Sequence, residues 1–331
     1  MEILIRTDGG VQLGNGHIIR MMALASELVK RNISFSFALK FDDFWIRTLR
    51  DKGYTVYKIE SSTGLSEWIV SRKVSHVIYD TRNDLSAVDL RTLKAKHGVK
   101  VVVIDSPEDV RLAADAAIFP PIPQVHEWSW EGFTGTIFCG WEYVLLRSEF
   151  SEAVVKTTNS NRVLLSFGST DPYKLSEWAI GEIEANRDLF EGLRFTLIVG
   201  PQFDRIEQLR QVHGFERLNV EVIQSPPDIV SVFQSASFAM IALGVTAYEL
   251  ARLQVPFLFV SISDDHARSG EAFQKNGLGY SLGTIGKNMG GFREKTEPFM
   301  KGLENIKRTI KEFSRENRIT NWSRIINAIV E

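Results

Sequence analysis

Cysteine is almost missing from this chain: Cys139 is the only one among 331 residues. That excludes an intrachain disulfide and a cysteine-built metal cluster. Net charge is nearly missing too, at -2, so no bulk field draws the chain to nucleic acid or to an anionic membrane. No apolar run reaches the ~20 residues that a bilayer span requires. The chain opens on Met1-Glu2 and an apolar strand, without a basic-plus-apolar leader. No repeat shorter than half the chain and no low-complexity tract is visible. What remains is the composition of a folded globular protein, 44% hydrophobic and 24% charged, long enough for two ordinary domains or one large one. The simplest expectation is a monomeric cytoplasmic enzyme acting on a small molecule, with no nucleic-acid partner, no stable membrane insertion and no cofactor.

The stretch around which the chain is organised is Asp8-Gly9-Gly10-Val11-Gln12-Leu13-Gly14-Asn15-Gly16-His17-Ile18-Ile19-Arg20. Apolar Ile3-Leu4-Ile5 before it reads as a buried parallel strand, and the apolar positions from Ile18 to Val29 recur at helical spacing. Glycines between strand and helix let the backbone turn tightly and let a ligand approach. The free N–H groups of the first helical turn, and the helix dipole, favour an anion there. The same positive end disfavours an imidazolium, so His17 is expected to be neutral and able to accept a proton. A dinucleotide fingerprint needs a third glycine after Gly14-Asn15-Gly16, and a P-loop needs Gly-Lys-Ser/Thr; the chain has neither. The plain alternative is that the glycines merely build a tight turn and that His17 caps a helix.

Further strands are expected at 35–39, 55–57, 76–79 and 101–104, separated by helices at about 43–51, 65–72 and 85–96. Such alternation implies a parallel sheet covered by helices on both faces. Proline-rich Phe119-Pro120-Pro121-Ile122-Pro123 breaks the rhythm, and the chain looks irregular to about Phe150. Polar Lys156-Thr157-Thr158-Asn159-Ser160-Asn161 is the expected linker. The pattern then restarts, with strands at 163–167, 195–199, 220–223, 238–241 and 257–260. The expected architecture is α/β with two doubly wound, Rossmann-like domains, 1–155 and 162–300, and closing helices over 301–331.

Ligands in such sheets sit at the carboxyl ends of strands. The turn after Ile241 holds Gly244-Val245-Thr246 at a helix start, suited to phosphate oxygens, with Glu249 one turn on, able to accept from ribose hydroxyls. A capping box formed by Thr246 and Glu249 would explain the same residues without a ligand. After Val260 comes Asp264-Asp265-His266, where an aspartate N-cap is the plain reading.

Four motifs occur in order: Arg6-x-Asp8…Gly14-x-Gly16-His17-x-x-Arg20; Cys139-Gly140-x-x-Tyr143-x-Leu145-Leu146-Arg147-x-Glu149-Phe150; Ser166-Phe167-Gly168-x-Thr170-Asp171-Pro172; and Gly244-x-Thr246-x-x-Glu249. Over about residues 1–285 the chain resembles the UDP-sugar hydrolases of the pseudaminic acid pathway, which act on UDP-2,4-diacetamido-2,4,6-trideoxy-β-L-altropyranose, and related spore-coat polysaccharide proteins. That family is related to the N-acetylglucosaminyltransferase that completes lipid II. The resemblance implies a GT-B fold and a metal-independent hydrolase that releases UDP and a free sugar. It makes His17 the general base, with Asp8 and the loop Gly14, Asn15 and Gly16 framing the sugar. It makes Gly244, Val245, Thr246 and Glu249 the holders of diphosphate and ribose. Arg20, Tyr143, Gly168, Ser169, Thr170, Asp265 and His266 complete the implied substrate contacts. No Asp-x-Asp motif, the divalent-cation anchor of the other large glycosyltransferase fold, is present. The chain departs from the family at Asp265-His266, where Asn-Gln is common, and at Asp80-Thr81-Arg82, where Asp-His-Tyr is common. A glycosyltransferase on the same fold and a non-catalytic nucleotide-sugar-binding protein are the rival readings.

Overall fold

Each half of the chain builds a parallel sheet, because its apolar runs are too uninterrupted to leave either face wet. The computed structural model describes residues 1–10, 14–40, 43–60, 62–82, 84–156 and 160–330, with only the backbone of Ser62 and Thr63. Val11, Gln12 and Leu13 of the glycine-rich stretch, and Thr157, Thr158 and Asn159 of the expected linker, lie outside the described residues. The first half runs β1 (Glu2–Thr7), α1 (Gly16–Lys30), β2 (Ser34–Leu39), α2 (Asp43–Asp51), β3 (Val56–Lys58), α3 (Ser62–Ser71), β4 (His76–Asp80), α4 (Ala87–His97), β5 (Lys100–Ile104), β6 (Ala116–Phe119), β7 (Thr136–Cys139) and α5 (Ser148–Ser151). The second continues with β8 (Arg162–Ser166), α6 (Leu175–Ala185), β9 (Arg194–Val199), α7 (Ile206–Arg210), β10 (Glu221–Gln224), α8 (Ile229–Gln234), β11 (Phe238–Ala242), α9 (Val245–Arg252), β12 (Phe257–Ser261), α10 (Asp264–Lys275), β13 (Gly279–Thr284), α11 (Phe292–Glu316) and α12 (Trp322–Val330). Among the described residues no helix is long and apolar enough to cross a membrane.

The first sheet has the order β3-β2-β1-β4-β5-β6-β7, and the second β10-β9-β8-β11-β12-β13. Their recorded pairings are all parallel. Both are doubly wound, and the strand order reverses between β1 and β4 in one and between β8 and β11 in the other. Those reversals are where a crevice opens at the carboxyl ends of the strands.

Two compact units result, Met1–Ser148 with Ile319–Glu331, and Glu149–Arg318. The tail is shared: α11 belongs to the second unit and α12 to the first. Ile325 and Ile329 of α12 are buried against the core of the first sheet, and Thr320 donates from Oγ1 to the carbonyl of Val144 at 2.8 Å. The segment from Phe119 to Phe150, expected to be irregular, contains β7 and short 3₁₀ turns, and β6 leads into it. Both strands have only four residues, and β7 is a half-exposed edge, so neither leaves a sustained apolar pattern. β13 escaped the sequence reading for another reason. Its first residue, Gly279, lies under the ring of Phe257, where a Cβ would come within 2.2 Å, so the position excludes the side chains that would mark a strand.

Candidate functional site

At the reversal point of the first sheet, Asp80 ends β4 opposite Thr7 of β1 and is fully buried. His17 and Arg20, three positions apart on α1, share the helix face that meets it. Asp80 Oδ1 lies 2.7 Å from His17 Nδ1. Arg20 clasps the same carboxylate with two bonds, Nε to Oδ2 at 2.7 Å and Nη2 to Oδ1 at 2.5 Å. Its remaining arm, Nη1, reaches Asp105 Oδ2 at 2.6 Å. Asp105 stands just past β5 with φ 47, a left-handed conformation that costs energy in a non-glycine residue and clusters at functional sites.

Burial alone would raise the Asp80 carboxyl, but the charge of Arg20, together with the hydrogen bonds from Arg20 and His17, outweighs it and holds the group well below the usual carboxylate range. Burial likewise opposes the charge on Arg20, and Asp80 and Asp105 overcome it. Arg20 Nη2 also lies 3.0 Å from His17 Nδ1. In the neutral ring whose Nδ1 proton is directed to Asp80, which when ionised can only accept, Nε2 carries the lone pair. The side chain of His17 is 18% exposed. Among the described residues no bond to Nε2 is recorded.

Beneath this lies a second charged layer. Arg6, fully buried, pairs through Nη2 with Asp8 at 2.5 Å and through Nε with Asp84 at 2.9 Å. Asp8 is 1% exposed and also accepts from the backbone N–H of Lys40 at 2.7 Å. Its carboxylate, implied by the resemblance to frame the sugar, is engaged in the floor of the site. Asn15 is engaged similarly: Oδ1 accepts from the N–H of Gly10 at 3.1 Å and from Trp45 Nε1 at 3.0 Å. Gly10 and Gly14 pair as an isolated bridge that closes the loop, with Gly14 at φ 73, and Gly16 is the first residue of α1. Tyr143, just beyond β7, packs its ring 5.4 Å from that of Phe138.

The second unit repeats the geometry with different chemistry. Gly168 follows β8 at φ 93, and the Ser169 carbonyl accepts from the N–H of Gly200 at 2.8 Å. Thr170 is buried, its carbonyl accepting from Arg205. Asp171 is fully buried and accepts from the N–H groups of Leu175 and Ser176 at 2.9 and 2.8 Å, fixing the start of α6. After β11, Gly244 is the N-cap of α9 with extended backbone, φ 169, and no side-chain cap. Val245 and Thr246 are therefore the first two helical residues. The Thr246–Glu249 capping box does not form, because the helix starts at Val245, so that Thr246 is already inside it. Glu249 is 3% exposed on the second turn. Nor does an aspartate cap α10: Ser263 does, accepting the N–H of His266 at 3.2 Å, which leaves Asp265 exposed in the first turn and His266 half-buried behind it.

The structure thus brings His17 and Arg20 into one cluster in the first unit, and Gly244, Val245, Thr246 and Glu249 onto one helix start in the second. It adds Asp80 and Asp105, which the sequence reading did not select as site residues. Their signal is positional: both are carboxylates at the carboxyl ends of adjacent strands beside the reversal point.

No family model matches the chain. An uncharacterized protein of Methanocaldococcus jannaschii is 24% identical over 276 residues, covering 77% of this chain and 54% of its own, so the chain spans about half the length of that relative. The spore coat polysaccharide biosynthesis protein SpsG of Bacillus subtilis is 20% identical, over 86% of this chain and 84% of its own. A UDP-2,4-diacetamido-2,4,6-trideoxy-beta-L-altropyranose hydrolase of Campylobacter jejuni is 24% identical, over 67% and 78%. Among solved structures, MurG of Acinetobacter baumannii superposes with a TM-score of 0.67 at 14% identity over 99% of both chains. The spinosyn rhamnosyltransferase SpnG complexed with thymidine diphosphate gives 0.67 at 13% over the whole of both. The fold is GT-B. In each Rossmann-like unit, the carboxyl-end turns at the strand reversal are the candidate functional region.

Proposed function

We propose that this chain hydrolyses a UDP-linked amino or deoxy sugar at its anomeric carbon, releasing UDP and the free sugar for nonulosonic acid or surface-polysaccharide biosynthesis. The observation that carries this reading is the His17 ring, held at Nδ1 by a buried carboxylate and with no bond to Nε2 among the described residues. That is how a general base is presented. A water proton passes to Nε2 as the water oxygen bonds to the anomeric carbon. The bond from that carbon to the β-phosphate oxygen breaks, and its electron pair leaves with UDP. Gly244, Val245 and Thr246 at the start of α9 offer N–H groups and a hydroxyl to the departing diphosphate, with no metal in that role. Glu249 takes the ribose, and the Gly168-Ser169-Thr170 turn contributes to the nucleotide side. The hydrolase and spore-coat relatives support this substrate class.

The rival with an observation behind it is a glycosyltransferase, favoured by fold neighbours such as SpnG. It differs only in taking an alcohol where the hydrolase takes water. Incubation with a panel of UDP-sugars in ¹⁸O-labelled water, without acceptor, tests the choice. Label in the released sugar and none in UDP is the expected result. Label in the UDP phosphate would mean attack at phosphorus and remove the role given to His17. Turnover that waits on an added alcohol would establish the transferase.

A further inference from the structure

Arg20 was expected to touch substrate, yet its guanidinium is committed inward. It is 12% exposed, its bonds run to Asp80 and Asp105, and its Nη2 lies 3.0 Å from His17 Nδ1. The arrangement answers a problem set by Asp80. A buried carboxylate 2.7 Å from an imidazole stabilises the imidazolium strongly, because the attraction is barely screened there. A histidine held in that form is useless as a base. Resting on the reading of His17 as the general base, we propose that Arg20 is a positioning residue: it neutralises Asp80, so that the carboxylate fixes the His17 ring without holding a second proton on it.

The charges around the ring support the balance. From β4 comes Asp80, from the turn after β5 comes Asp105, and α1 itself supplies Arg20. Arg82, after β4, donates to the backbone carbonyl of Asp105. The floor contributes Arg6 against Asp8 and Asp84. In the floor, Lys40 also pairs with Asp84. Nearer the ring, Asp80 and Asp105 are matched by Arg20 and Arg82, and removing Arg20 leaves that set with a negative excess. Asp105 completes the device by anchoring the far arm of Arg20 at 2.6 Å, which holds the guanidinium against the Asp80 carboxylate. Three positions of separation on α1 place both side chains on one carboxylate, so the base and its counter-charge move together with the helix.

The test is made on the apo protein, so it does not depend on the identity of the reaction. The ring protons of His17 are titrated by NMR in the wild type and in Arg20→Gln, Asp80→Asn and the double variant. The expected result is a midpoint displaced by about one unit or more, upward in Arg20→Gln and downward in Asp80→Asn, with the double variant returning toward the wild type. Asp80→Asn, which removes a buried charge, carries the test if Arg20→Gln fails to fold. An unchanged midpoint in either variant that folds overturns the proposal. With a cleaved substrate in hand, Arg20→Gln should lower kcat about tenfold or more at neutral pH, leave KM within about twofold and recover as pH rises. A raised KM with an unmoved pH profile would return Arg20 to a substrate contact. If no UDP-sugar is cleaved by the wild type, the hydrolase reading fails while the titrations still decide the role of Arg20.

Discussion

A single histidine carries the proposed chemistry, and its environment is built from residues far apart in the chain. His17→Asn retains the size and polarity of the ring but removes its basicity. Turnover should fall by ~10²–10⁴-fold while UDP affinity and melting temperature change little. A variant keeping most of its wild-type rate would remove the general-base assignment. Another histidine makes a different prediction. His76, at the first position of β4, is 7% exposed, and its pKa is lowered from 6.5, first by burial and then by the nearby charge of Lys100. A depressed folded value means the unfolded chain binds the proton more readily. Stability conferred by the neutral ring is therefore complete above pH 6.5 and is lost as pH falls through and below that value. Denaturant midpoints taken from pH 7.5 down to 5.5 should decline in the wild type, and the decline should be shallower in His76→Gln.

At the scale of elements, three of the helix starts that follow strands in the second unit are each finished differently. Asp171 fixes α6 with two N–H bonds, Ser263 caps α10, and α9 begins on Gly244 with no side-chain cap. Of these three, α9 is the one that the proposal gives to the diphosphate, since orphan N–H groups bind an anion most readily where no side chain occupies them. Glu249→Ala tests the same element. With no capping box to lose, UDP affinity by calorimetry should weaken by roughly 1–3 kcal/mol if Glu249 takes the ribose. An unchanged affinity on folded protein would assign Glu249 to packing alone. The glycine turn that starts α1 is fixed by contact as well as by φ. A Cβ on Gly9 would come within 2.6 Å of Ile18 on the helix it precedes, so this glycine lets α1 sit close to β1.

For the molecule as a whole, the notable feature is a tail divided between the units. α11 ends at Glu316, the chain turns through Thr320 at φ 69, and α12 returns to the first sheet. Trp322, Ile325, Ile326 and Ile329 are all buried there. The last residues of the chain are thus part of the core on which α1 and the His17 cluster rest. Ile325 is fully buried, and Ile325→Ala should cost ~2–5 kcal/mol through lost burial and the cavity left behind. The check is the denaturant midpoint of Trp322 fluorescence, with the other tryptophans replaced by phenylalanine. A cost under ~1 kcal/mol would mean that α12 is only loosely attached.

The alternation of strands and helices was legible in the sequence because buried parallel strands are continuous apolar runs, as at Ile3–Ile5 and Val101–Ile104. So were the glycine turns and the histidine at a helix start, since these are local requirements written in adjacent residues. β13 was not legible, because its glycine answers the ring of Phe257, a neighbour distant in sequence. The division of the tail was equally hidden, since α11 and α12 read as one amphipathic pattern. Above all, the sequence marked His17, Arg20, Asp8 and Asn15 as one motif without revealing which of them face inward. The structure shows that Asp8 and Asn15 are engaged in the floor, that Arg20 is turned onto Asp80, and that Asp80 and Asp105 come to His17 from strands 60 or more positions away. Periodicity and turn chemistry act over a few residues and can be read in order along a chain. Which carboxylate meets which imidazole depends on strand order, and that is decided only when the sheet has formed.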